Sequence, residues 1–152
     1  MNSTSYKIND TINNPKTGTP IFGIFPHITH QRSTFSEGPI YLRYGRHTGP
    51  HRGFGLVHIF EEHKREIERQ TKSQLISIHD ALEVIPNYIA SILVKDAAIH
   101  SEFEFPHMRC TIVKTKNGVV LLEPFKDGED NTYYSIVTAY KGQAKGPKIG
   151  AL

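Results

Sequence analysis

The chemistry of this chain concentrates in one stretch, GPHRGFGLVHIFEEHKREI at residues 49–67. Gly49, Gly53 and Gly55 punctuate a turn that also holds His51 and Arg52, with Arg43, Arg46 and His47 just ahead and His58 and His63 just after. Glycines let backbone amides approach a ligand closely or take positive φ. A helix starting directly behind them turns its partly positive end toward the same loop. Together these features suit a phosphate oxygen. The nucleotide P-loop pattern fails, because no Gly-Lys-Ser/Thr follows, and a dinucleotide fingerprint fails too. A basic solvated loop, with glycines present only for turning, is the alternative reading of the same residues.

His58 and His63 stand five apart, about 140° around a helix, so they do not face one point. The stretch HIFEEH is one residue longer than the His-x-x-Glu-His zinc pattern and lacks the i,i+4 histidine pair of His-Glu-x-x-His. No metal and no cofactor is therefore expected. His58 falls in the first helical turn beside the glycines, where a neutral imidazole suits a general base near pH 7. His63, on the apolar side, reads equally as a packed histidine. A second group ends the chain's last strand. In TYYSIVTAYK strict alternation puts Tyr134, Ile136, Thr138 and Tyr140 on one face and Lys141 on the other. Thr and Tyr there are also ordinary packing choices.

These groups must be positioned by elements that the periodicities predict. IYLRYG (40–45) reads as a strand, and 46–55 as a loop. LVHIFEEHKREIERQTK (56–72) reads as a helix whose apolar face carries Leu56, Ile59, Phe60, His63 and Ile67. SIHDALEVIPNYIASIL (77–93) reads as helical, capped by Ser77 and divided at Pro86. From Met108 the period becomes two: a strand to Thr115, a tight turn at KNG, a return over 119–126, the turn DGEDN, and a strand over 132–141. Helices followed by an antiparallel meander imply an α+β fold, with the helices on one face of a twisted antiparallel sheet. Residues 1–39 read as a partly ordered leader or linker, 40–141 as the domain, and 142–152 as a flexible Gly/Lys-rich tail.

Composition bounds the function. The 152 residues suit one core. One cysteine, Cys110, excludes an internal disulfide and is expected as a buried small side chain. The formal charge of +3 weakly favours polyanions as partners. The apolar runs are too short to span a bilayer, and the polar start resembles no signal peptide.

The order of helices and meander, with GFGLVHIFEEHKREI opening the main helix and YSIVTAYK as the last strand, resembles the barnase/EndoU/colicin D/RelE superfamily of nuclease toxins. It is most similar there to the toxin modules of phage head proteins, polymorphic toxins and contact-dependent growth inhibition effectors. The resemblance covers residues 40–141. It implies a metal-independent ribonuclease that cuts tRNA or other single-stranded RNA through attack of the 2′-hydroxyl. It further implies delivery into the cytoplasm of a target bacterial cell, as the C-terminal part of a larger secreted or surface protein, and a cognate immunity protein as partner. Motif by motif, it makes His58 the base and Thr138 the phosphate-holding hydroxyl. By chemistry alone His63 and Tyr140 join the catalytic set, and Arg43, Arg46, Arg52, Arg109 and Lys141 the phosphate-binding set. Two other readings are carried: a non-catalytic module binding an anion or a protein, and an ADP-ribosyltransferase-type toxin. For the latter, EFEF at 102–105 matches the expected Glu-x-Glu only loosely.

Overall fold

A computed structural model describes residues 5–31, 33–102 and 110–152. The chain runs through β1 (Thr11–Ile12), β2 (Ile21–Phe25), β3 (Ile28–His30), β4 (Ser33–Phe35), β5 (Gly38–Arg43), β6 (Arg46–Gly49) and β7 (Arg52–Phe54). Helices α1 (Gly55–Thr71) and α2 (Ile78–Ile92) follow, and then β8 (Ala98–Glu102), β9 (Cys110–Thr115), β10 (Gly118–Lys126), β11 (Thr132–Tyr140) and β12 (Lys148–Ala151). The fold is α+β, with a mostly antiparallel mixed sheet. Its strand order is β1-β5-β11-β10-β9-β8-β12, and β2 also pairs with β5.

The expected meander is present. Gly118 pairs with Thr115 across the Lys116-Asn117 turn, and β10 then pairs with β11 in antiparallel register. Strand β5 joins the far side of β11 in parallel, Ile40 facing Tyr134. That pairing is invisible to periodicity, which reads strands but not their neighbours. Ile40 and Leu42 of β5, Val113, Val120, Leu122 and Ile136 share one buried cluster with Leu56, Ile59 and Ile67 of α1 and Ile85 and Ile89 of α2. Full burial of each such side chain contributes about 1.5–3 kcal/mol.

Four expectations are corrected here. Among the described residues the chain does not divide at residue 39: Thr11 and Ile12 pair with Arg43 and Leu42, and Ile21–Phe25 pairs along the rest of β5. Phe22, Phe25, Ile28 and Phe35 are buried in the common core, and Phe25 stacks on Tyr134 at 4.2 Å. Within the expected flexible tail, Lys148–Ala151 form strand β12, paired to β8, and the end is held by Leu152 N–H donating to Ala97 O at 2.9 Å. The predicted loop 46–55 is the β6–β7 hairpin and the start of α1. Helix α2, capped by Ser77 and Asp80, continues through Pro86. Its buried face, Ala81 and Ile85 before and Tyr88, Ile89 and Ile92 after, spans the proline, and that burial offsets the roughly 3 kcal/mol an interior proline costs. Met108, Arg109 and the side chain of Cys110 lie outside the described residues.

Candidate functional site

Three side chains converge where the β6–β7 hairpin meets α1. His47 lies on β6 opposite Gly53 of β7. His58 sits in the first turn of α1 and Glu62 one turn later, an i,i+4 pair on one face. His47 Nδ1 and His58 Nδ1 are 3.0 Å apart, a hydrogen bond in which one ring donates and the other accepts. The Glu62 carboxylate accepts from the backbone N–H of His51, which closes the hairpin turn onto the helix.

Gly53 makes this meeting possible. It takes φ +140°, and a Cβ there would fall on the Arg46 carbonyl oxygen, 2.9 Å from His58 Nδ1 and 3.0 Å from His47 Cα. A side chain would therefore wedge hairpin and helix apart.

His58 is only 4% exposed, whereas His47 and Glu62 are partly exposed. Burial holds the His58 imidazole below its ordinary pKa; Glu62 opposes this, and His47, His63 and His51 add to it. The Glu62 carboxyl is held below the usual carboxylate range, foremost by the His51 amide. At neutral pH the junction thus holds uncharged His58 beside ionised Glu62. One ligand atom from each of His47, His58 and Glu62 lies within 4.8 Å of the others, so these three could hold a metal.

The predicted residues divide. Arg46 and Arg52 are exposed on the hairpin that carries His47. Arg43 is engaged elsewhere: it donates to Ser135 Oγ at 2.7 Å and Asn9 Oδ1 at 2.9 Å, and its guanidinium lies 3.9 Å from the Phe54 ring centroid. That guanidinium borders a separate open cleft of about 520 Å³ lined by Tyr41, Tyr133 and Asn131. His63 does not join His58 in a shared bond; it stacks on Tyr140 at 4.8 Å. Thr138 is buried, and its Oγ1 has no hydrogen-bond partner among the described residues. Its position departs from strict alternation because β11 carries a bulge at Val137: Leu122 pairs with Ile136 but Leu121 with Thr138, so Ala139 takes the core place beside Ile136. Lys141 is exposed just past β11. Arg109 lies outside the described residues.

Sequence reasoning placed His47 only among the donors of the loop and did not single out Glu62. The His58–Glu62 spacing was a usable signal, but His47 joins them only once residues 46–54 fold back as a hairpin. Set against family models, curated proteins and solved structures, the chain finds no match in any of the three.

Proposed function

We propose that this chain is a bacterial toxin acting as a metal-independent endoribonuclease on tRNA or other single-stranded RNA. In this reading it works in the cytoplasm of a target cell, delivered as the C-terminal part of a larger secreted or surface protein. A cognate immunity protein, acidic where the hairpin is basic, silences it at home.

The observation that carries the reading is His47: a partly exposed imidazole on a basic hairpin, backed by a second imidazole and a carboxylate. His47 takes the proton of the ribose 2′-hydroxyl. The 2′-oxygen then bonds to phosphorus, the bond from phosphorus to the 5′-oxygen breaks, and that oxygen takes a proton from water while His47 returns its own to solvent. The products are a 2′,3′-cyclic phosphate and a 5′-hydroxyl. Buried His58 does not touch RNA; it is a positioning residue that fixes the tautomer of His47 through their shared bond. Arg46 and Arg52 stand on the same hairpin to hold the phosphate.

The test is incubation of total tRNA with the chain in excess chelator, followed by end-group analysis. Fragments with cyclic-phosphate and 5′-hydroxyl ends are expected. Intact tRNA, under conditions where a control ribonuclease cuts, overturns the reading. Burial of His58 and Thr138 favours one second reading, a non-catalytic anion-binding module. It predicts retention of RNA by the chain with no turnover.

A further inference from the structure

We propose that His47, His58 and Glu62 form a three-ligand site for a zinc-class divalent cation, and that filling it silences the acid–base chemistry of the same hairpin. The site stands on geometry alone; only the silencing rests on the ribonuclease reading.

Two imidazole nitrogens and one carboxylate are borderline ligands that suit zinc, cobalt or nickel, whereas magnesium and calcium prefer oxygen. Three protein ligands leave a fourth tetrahedral position for water. Nitrogens bound to one tetrahedral zinc at about 2.05 Å stand roughly 3.3 Å apart. The two Nδ1 atoms stand 3.0 Å apart, within about 0.3 Å of that separation, and a turn of the rings would aim both at a shared ion. Glu62 brings its ligand atom within 4.8 Å of both, from a partly exposed side chain one helical turn beyond His58. Backbone shape helps to set ring placement: a Cβ at Gly53 would lie 2.9 Å from His58 Nδ1 and 3.0 Å from His47 Cα, and His58 is buried. A cation there displaces the proton that the two rings share, which moves to Nε2 of the ring that donated it. Both Nδ1 lone pairs become metal bonds, and neither ring can orient the other for proton transfer.

The test titrates the full chain, stripped with chelator, with Co²⁺ and separately with Zn²⁺. One Co²⁺ per chain is expected, with the intense visible bands of a tetrahedral ion, displaced by one equivalent of Zn²⁺. His47→Ala and Glu62→Gln should each weaken zinc binding by at least about 100-fold, more than loss of an outer-shell partner does. His27→Ala, an exposed histidine elsewhere, should change nothing. Circular dichroism shows whether each variant folds, and His47→Gln replaces the alanine variant if it does not. Absence of stoichiometric binding, or binding unchanged in both variants, overturns the site. With RNA, zinc should suppress cleavage and chelator should restore it; cleavage that rises with zinc overturns the silencing. Zinc binding by a chain that never cuts RNA leaves the site standing and removes the ribonuclease reading alone.

Discussion

Helix α1 carries two histidines in two different settings. At its start, His58 meets His47 and Glu62, which come from a hairpin folded back on the helix and from the next helical turn. Every group there has a partner of complementary chemistry. Farther along, His63 stacks on Tyr140, and its Nδ1 lies 3.6 Å from Glu66, beyond hydrogen-bond range. His63 Nδ1, Glu66 Oε2 and Thr138 Oγ1 have no hydrogen-bond partner among the described residues. The first region brings imidazoles edge to edge, one ring nitrogen donating to the other; the second packs a ring face against a ring face. Residue type is the same in both. What separates them is that a glycine hairpin, lacking a Cβ at Gly53, admits one imidazole to the other.

The contrast can be broken in order of effect. His47→Ala should lower RNA cleavage about 10²- to 10⁴-fold, the usual worth of a positioned general base, and should cost about 1–3 kcal/mol of stability because buried His58 loses its partner. Activity within a few-fold of the wild type would move the chemistry elsewhere. Gly53→Ala should destabilise the chain by about 3 kcal/mol through strain and overlap with Arg46, lowering the melting temperature by about 6–12 °C. An unchanged melting curve would show that the hairpin yields freely.

The packing region and the core below it should answer to alkali instead. Burial pushes the phenols of Tyr88 and Tyr134 up to about 12 from an ordinary 10.0, with Glu66 adding to the shift at Tyr88. Both are raised above their unfolded values, so their contribution is intact below pH 10 and is lost as pH climbs toward 12. The loss is about 2–3 kcal/mol per ring. Denaturant midpoints at pH 9 and 11.5 should differ accordingly, with a smaller difference in Tyr88→Phe; equal midpoints would contradict the burial. The smallest effect is expected for His63→Ala, about 1 kcal/mol of lost stacking and burial with cleavage within about threefold of the wild type. A drop as large as that of His47→Ala would put the second region on an equal footing.

What the sequence made legible follows from locality. Helix α1, the β9–β10 turn and the β10–β11 return rest on period and an Asn-Gly pair, both local signals, and each is found within a few residues of its expected place. The parallel β5–β11 pairing, the bulge at Val137 and the docking of Phe25 on Tyr134 depend on segments about ninety or more residues apart, or on a register irregularity, and alternation reports neither. Residues 1–39 read as a partly ordered leader or linker because Gly and Pro break their apolar pieces. Ile12, Phe22 and Phe25 are nonetheless gathered by one strand edge. The site shows the same limit: His58 stood out for its spacing, but its partner His47 appears only when residues 46–54 turn back.

The most direct test of which region meets RNA is a histidine-resolved NMR titration with a short 2′-O-methyl oligonucleotide, which the chain cannot cut. The ring resonances of His47 and His51 should shift on binding while those of His63 and Tyr140 stay in place. Shifts confined to His63 and Tyr140 would contradict the account.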